Sequence, residues 1–371
     1  MATFRYLPFM GGVELHVDEV SRRLADRGVD VTILTTDPTG ALPERERRNG
    51  VDVIRVRAWP TKEDYYFAPR VYSEIVGGSW DIVHVHAYHT FVGPLAMLGA
   101  RRAGLPYVLT FHAGGHSSRF RHAMRPLQVT LLRPLLASAD RLIALAPHEI
   151  DHYAARLRLP RERFALIPNG SDLPTIAADG RRSATAPLIA SVGRLERYKG
   201  HHRVLAAFPH VLRRRPEARL WIAGSGPYES RLQALVEQLE VSGRVEIRSV
   251  PVHERERWAS ELSRVHVVAL LSEFEAQPIA ALEALALGCR LIVADRPGLD
   301  VLAEQGLAHA VPLESSPEDV AAAILEGLDE QPVADPPALP TWDECADALL
   351  GLYASVLDNR RSQVHSDRTH L

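Results

Sequence analysis

Cysteine is nearly absent from the 371 residues: Cys289 and Cys345 are the only two, and neither stands at a metal-type spacing. That excludes a disulfide framework and suits a reduced interior, so the cytoplasm is the expected compartment. No apolar run approaches the ~18 residues a membrane-spanning helix needs, and no charged start leads into an apolar core with a cleavage site. Membrane contact is therefore expected to be peripheral at most. Charge of one sign is also lacking. A net charge of −3 gives no bulk attraction to nucleic acid, so none is expected as a partner. Lysine is as scarce as cysteine, because only Lys62 and Lys199 interrupt an otherwise arginine-based set of 43 basic residues. An ammonium is a compact point charge and a guanidinium a planar fork, so position 199 draws notice, although composition alone favours chance.

What is present reads as an ordinary globular enzyme, 46% hydrophobic and 24% charged. The length exceeds what one core usually organises, so two domains with a cleft between them are expected. Short β-branched runs alternate with helix-like stretches at 29–36, 51–58, 81–87, 107–113, 141–146 and 164–168. A second series follows at 188–192, 218–223, 245–250, 265–271, 290–295 and 310–313. This is the rhythm of two parallel sheets with crossover helices, an α/β doubly wound design in each half. The rhythm breaks at Asn169-Gly170-Ser171-Asp172. The expected division is an N-terminal domain at 1–170, a linker at 171–186, a C-terminal domain at 187–340, an amphipathic helix at 341–358 and a flexible tail at 359–371. The start is unusual: Met1 runs almost at once into Phe9-Met10-Gly11-Gly12, leaving a first strand short or missing. In a doubly wound sheet that strand is central, so a start upstream of Met1 is the expectation.

Several segments have the makings of a site. Gly11 and Gly12 precede a helix, where backbone amides and the positive helix end can approach an anion; a plain tight turn explains them as well. Gly193-Arg194 and Lys199-Gly200 place two cations across a strand-to-helix turn, suited to a diphosphate or to a solvated basic loop. Gly224-Ser225-Gly226 opens a helix but has Glu229 at the third glycine position of the dinucleotide fingerprint. Glu246 lies downstream where an NAD-binding acid would sit, which keeps a dehydrogenase or epimerase in view. His84, His86 and His112 stand at strand ends. A metal site would need a carboxylate or cysteine that does not accompany them, so no metal is expected. Glu275 and Glu283 bracket Gln277, Pro278 and Ile279, with Pro278 opening a helix whose free amides could hold a phosphate. A surface helix with two acids is the plainer alternative.

In chain order, Gly11-Gly12-Val13-Glu14, the 81–86 strand, Thr110-Phe111-His112, Ile167-Pro168-Asn169-Gly170, Gly193-Arg194 with Lys199-Gly200, Gly224-Ser225-Gly226-Pro227 and the Glu275 to Glu283 segment resemble the retaining GT-B glycosyltransferases of family 4. The resemblance covers nearly the whole chain. It implies two Rossmann-like domains facing across a cleft, the first for the acceptor and the second for the nucleotide sugar, with the terminal helix crossing back. It further implies a UDP- or GDP-type donor, no cofactor, no metal, and a carbohydrate, lipid-linked or small-molecule acceptor. By the same resemblance Arg194 and Lys199 hold the diphosphate, Glu283 the ribose and Glu275 the donor sugar. Gly12 and His112 border the reaction centre, and His112, Glu275, Arg194 and Lys199 form the expected catalytic set. Gly11, Gly226, Gln277, Pro278 and Ile279 join the donor site. Gln277-Pro278 departs from a phenylalanine-glycine pair common in the family, Ser249-Val250-Pro251 from a glycine-containing base loop, and Cys289-Arg290 from a small residue with proline. The alternatives are a nucleotide-sugar 2-epimerase and a non-catalytic sugar-binding protein. A last expectation concerns Arg119, Phe120, Arg121, Met124, Arg125, Leu131, Leu132 and Arg133: a solvated helix lining the acceptor side, or a segment resting on a membrane.

Overall fold

The computed structural model describes residues 1–9, 11–60, 65–112, 119–174, 186–251, 253–330 and 338–369, leaving aside the side chains of 119–123 and 363–369. Met10, Ala113, the side chains of Arg119, Phe120 and Arg121, linker residues 175–185 and residues 332–337 lie outside the described residues.

The first half runs β1 (Ala2–Thr3), α1 (Gly12–Asp26), β2 (Thr32–Asp37), β3 (Arg45–Arg48), β4 (Val51–Arg57), α2 (Arg70–Gly77), β5 (Val83–His86), α3 (Val92–Ala103), β6 (Tyr107–Thr110), α4 (Arg119–Ala137), β7 (Arg141–Ala144), α5 (Pro147–Leu157) and β8 (Phe164–Leu166). The second runs β9 (Leu188–Val192), α6 (His201–Arg214), β10 (Arg219–Ala223), α7 (Glu229–Gln238), β11 (Val245–Arg248), α8 (Arg255–Leu262), β12 (Val267–Leu270), α9 (Ile279–Ala286), β13 (Arg290–Ala294), α10 (Asp300–Glu304), β14 (His309–Val311), α11 (Pro317–Asp329) and α12 (Trp342–Thr369). Every residue of β5, β6 and β12 is buried, as expected of parallel strands covered by helices on both faces.

Among the described residues the strands form two sheets, ordered β3-β4-β2-β1-β5-β6-β7-β8 and β11-β10-β9-β12-β13-β14. In the second sheet all pairings are parallel, and its order is that of a doubly wound dinucleotide-type sheet with β9 at the reversal. The first sheet repeats that order around β1 and adds β3 antiparallel to β4. β3 reads Arg-Glu-Arg-Arg, without the apolar alternation that marks a strand, and its place at a sheet edge explains why.

The central first strand, expected to be short or missing, is two residues long: Ala2 pairs with both Leu34 and Val85. The Met1 ammonium donates to the Thr32 carbonyl at 2.7 Å and the Leu34 amide to the Met1 carbonyl at 2.8 Å, which lengthens so short a ladder. The terminal segment is helical to Thr369, where fraying from 359 was expected, and Arg360 is held by Asp140 at 2.8 Å.

Separate apolar clusters cover the two faces of the first sheet, and one of them includes Trp342, Leu349, Tyr353 and Val356 of α12. The last helix of the chain therefore packs on the first half, against α1. Each such buried side chain contributes about 1.5–3 kcal/mol of apolar burial. Polar ties register the contact: Arg27 pairs with Asp343 and Asp347 at 2.8 and 2.6 Å. Gly170 lets the chain pass beneath the helix, since a Cβ there would lie 2.2 Å from the Trp342 amide nitrogen.

Candidate active site

Open α/β sheets bind ligands beyond the carboxyl ends of their strands, where the strand order reverses. The β1/β5 and β9/β12 reversals face one shared cleft, lined by Gly11, Gly12, His112, Arg194, Lys199, Glu275, Gln277, Pro278, Ile279 and Glu283. Of the residues singled out from the sequence, Gly226 is missing from the lining. A Cβ on Gly226 would lie 2.5 Å from the Leu195 carbonyl, so this glycine serves the close packing of one turn on another. Gly224 and Ser225 line the cleft in its place.

The second-half wall is built from paired charges. β9 ends at Val192, just before Gly193, and the next turn closes at Gly200, whose φ of +76° and closeness to the Leu271 carbonyl (a Cβ would come within 1.9 Å) leave no room for a side chain. The turn brings the Lys199 Nζ to 2.6 and 2.8 Å from the two Glu275 oxygens, while the Ser272 hydroxyl donates to Glu275 Oε1 at 2.7 Å. Burial alone would depress the Lys199 ammonium, but the Glu275 carboxylate outweighs it and holds its pKa above the ordinary lysine range. Arg194 lies 3.4 Å from Glu196.

Pro278 caps α9, whose start has no side-chain cap, so its first amides are left toward the cleft beside Ile279 and Ala280. Glu283, one turn further on and 2% exposed, accepts from Arg255 and from the Trp258 indole at 2.8 Å. Burial pushes the Glu283 carboxyl up, against the pull of Arg255.

The first-half wall is built differently. Arg5 and Glu14 form a buried pair at 2.7 Å, and a cluster of histidines lies beside it. His86 Nδ1 is 3.0 Å from His112 Nε2, and the His16 ring meets that of His112 edge-on with centroids 4.7 Å apart. His16 Nδ1 bonds the Asn169 side chain at 2.7 Å, and the Asn169 amide donates to Gln277 Oε1 at 2.6 Å, so the cluster is tied through Asn169 to the opposite half. His112 itself has φ of +44°, a costly conformation for a residue with a Cβ, held where its ring borders the cleft. Burial lowers His16 to about 4 and drives His84, His86 and His112 well below the ordinary histidine range, leaving all four neutral at pH 7.

The sequence had grouped His84 with His86 and His112. The structure instead groups His16, His86 and His112, with ligating atoms within 4.8 Å of one another, the three side chains among the described residues best placed for a metal ion. The hydrogen bond between His86 and His112 would have to open to admit one. His84 spends both nitrogens on Tyr353 (2.6 Å) and Thr110 (2.8 Å), a structural role. Glu246, weighed as an NAD-type acid, is exposed on β11 and paired with Arg248 at 2.6 Å, outside the cleft.

Sequence reasoning missed Arg255, Trp258, Arg5, Glu196 and His16. Only His16 carried a signal, standing one helical turn after Gly12 and facing the same way. Gln277 was read as a pocket residue alone; it lines the cleft and also joins the two halves. On α4, Met124, Leu127 and Leu131 are exposed, and among the described residues no helix is long and apolar enough to cross a membrane.

Two dinucleotide-type sheets whose reversals open on one cleft, with charge pairs and a free helix start on one wall, define a nucleotide-binding transferase of GT-B architecture. Residues 10–174 match the Glycosyltransferase Family 4 profile and residues 174–337 that of Glycosyl transferases group 1, and the chain belongs to this family of glycosyltransferases. It is 27% identical to D-inositol 3-phosphate glycosyltransferase 1 of Catenulispora acidiphila, over 95% of this chain and 93% of that protein. It is 29% identical to the GDP-mannose:cellobiosyl-diphosphopolyprenol alpha-mannosyltransferase of Xanthomonas oryzae pv. oryzae, over 86% of each. The fold is similar to that of Anabaena HepE in complex with UDP and glucose, with a TM-score of 0.67 and 16% identity over 98% of this chain and 99% of that one. Neither an epimerase nor a non-catalytic sugar-binding protein is favoured by these matches.

Proposed function

We propose that the protein transfers a hexose from a nucleoside diphosphate sugar to an acceptor hydroxyl with retention at the anomeric carbon, in the biosynthesis of a polysaccharide, glycolipid or glycosylated metabolite. The observation that carries this reading is the Lys199–Glu275 pair set opposite the uncapped start of α9. A departing diphosphate needs positive charge in a water-poor cleft, and Arg194, Lys199 and the α9 amides supply it without a metal. On binding, the diphosphate competes with Glu275 for Lys199 and frees that carboxylate to meet hydroxyls of the donor sugar. Glu283, fixed by Arg255 and Trp258, receives the ribose hydroxyls.

The acceptor enters along the first-half wall, past Gly12 and His112. It attacks from the face the diphosphate leaves, and the departing phosphate oxygen takes the hydroxyl proton, so no protein nucleophile is assigned. The neutral His112 imidazole positions the sugar by hydrogen bonding. The donor is of UDP or GDP type. The cytoplasm is the proposed compartment, with the exposed apolar residues of α4 available for peripheral membrane contact.

Thermal-shift screening of UDP, GDP and their sugars, followed by NMR of the product's anomeric proton, tests the proposal. An α-linked donor should stabilise the protein and yield an α-linked product. An inverted product overturns retention, and stabilisation by no nucleotide overturns the whole reading.

A further inference from the structure

The histidine cluster of the first-half wall offers more nitrogen atoms than it has hydrogen bonds. His16, His86 and His112 each contribute one ring nitrogen to a set lying within 4.8 Å of one another, and no acid belongs to the group. His16 Nε2 and His86 Nε2 are both buried and have no hydrogen-bond partner among the described residues. Unpaired buried polar atoms are costly and need a reason. Asn169 supplies part of it. Its Nδ2 turns to the Gln277 carbonyl at 3.5 Å, so its Oδ1 faces His16 and accepts from Nδ1 at 2.7 Å. That fixes the tautomer and leaves His16 Nε2 with a bare lone pair, as when an outer carbonyl orients a metal-binding imidazole. The other two rings share one proton between His86 Nδ1 and His112 Nε2, 3.0 Å apart. Neighbouring nitrogens around a tetrahedral ion with bonds of ~2.05 Å lie roughly 3.3 Å apart, so a metal fits where that proton sits. With His86 as the donor, its proton moves from Nδ1 to the unpartnered Nε2, which frees both facing nitrogens and keeps every ring neutral. His112 borders the cleft, which gives an ion its route in and its fourth ligand, a water. Three imidazoles with an open fourth position are a known zinc set.

We infer that His16, His86 and His112 form a binding site for a divalent transition-metal ion of zinc type, and that filling it blocks sugar transfer. The ion takes no part in the transfer itself. It draws the His112 imidazole onto itself and away from the sugar, and it seats a double positive charge with its water at the border of the reaction centre. Metal binding stands on the geometry alone, whereas the block rests on the transfer reading above. His84 stays outside the set because both its nitrogens are spent on Tyr353 and Thr110.

The test is titration of the full chain, free of any purification tag and stripped by a chelator, with Zn²⁺ by calorimetry and with Co²⁺ by visible absorption. Wild-type protein should take up a single tight zinc ion per chain. Cobalt should give the intense band of tetrahedral nitrogen coordination, and zinc should abolish it. His16→Gln and His86→Gln should each weaken zinc about a hundredfold or more, and Asn169→Leu, which removes the outer carbonyl, about tenfold. Exposed His253→Gln is the control and should bind as wild type does. The cobalt spectrum of wild type decides the matter without any variant, should one fail to fold. The site is overturned if wild type binds no zinc, if its cobalt spectrum is the weak octahedral one, or if either histidine variant binds zinc normally. Turnover is then compared with and without zinc at a buffered free concentration. Zinc should inhibit wild type and spare whatever activity His16→Gln retains. Zinc that binds wild type and leaves transfer unchanged or faster overturns the block. A wild type that binds zinc but transfers no sugar in chelator sinks the transfer reading and leaves the metal site standing.

Discussion

The two walls of the cleft solve opposite problems. The second-half wall holds Lys199 against Glu275 and Arg255 against Glu283, ion pairs fixed in place before any ligand arrives. The first-half wall presents neutral imidazoles, with His112 in a left-handed conformation and His16 anchored to Asn169. A wall of matched charges can exchange a carboxylate for a diphosphate without leaving a buried ion alone, since losing one partner of such a pair is far costlier than replacing it. Neutral rings, by contrast, can accept a hydroxyl group without holding it as an ion. On the proposed reading, donor binding strength therefore belongs to one wall and orientation to the other.

The sharpest way to break this contrast is Lys199→Ala. It removes the proposed diphosphate cation and strands Glu275, and should lower kcat/KM about a thousandfold in steady-state turnover. His112→Gln, which keeps a neutral hydrogen-bonding group, should lose only about tenfold; an equal loss in the two variants would erase the distinction between the walls. Glu283→Ala should weaken nucleotide affinity about tenfold or more by calorimetry while kcat at saturation changes less, because its proposed role is uniform binding.

Acid should also act on the walls unequally. His16 titrates at about 4 when folded against about 6.5 in the open chain, so the unfolded state binds more protons between these values. Its contribution to stability is complete above pH ~6.5, declines as pH falls and levels off below about 4, at up to ~1.4 kcal/mol per pH unit in that window. His84, His86 and His112 are displaced in the same direction. Chemical denaturation at pH 7 and pH 5 should therefore show a loss of stability, of which about 2 kcal/mol belongs to His16 and should disappear in His16→Gln. The smallest effect belongs to Gln277→Ala, which cuts the Asn169 tie between the halves and should change KM a few-fold with kcat nearly kept.

Much of this architecture was legible because local physics repeats along a chain. Parallel strands buried on both faces must be β-branched and continuous, so 188–192 and 290–294 announce themselves, whereas the charged edge strand β3 has no such requirement and gave no signal. Gly200 was legible as a turn; that its missing Cβ makes room for Leu271 was not. Gly226 shows the converse, a glycine that reads as a ligand-binding turn and proves to be a packing contact.

The order of strands, glycines and charges along the chain determined the fold class and nominated Arg194, Lys199, Glu275 and Glu283, because covalent neighbours fix turns, caps and periodicity. Only the tertiary structure decided who answers whom. Lys199 meets Glu275 across 76 residues, Arg255 meets Glu283 from a neighbouring helix, His16 displaces His84 from the histidine cluster, and α12 returns to cover the first sheet. The physical reason is range. Charge pairing, burial and shifted protonation depend on distances of a few ångströms in space, and the sequence carries no record of them until the two sheets have closed on one another.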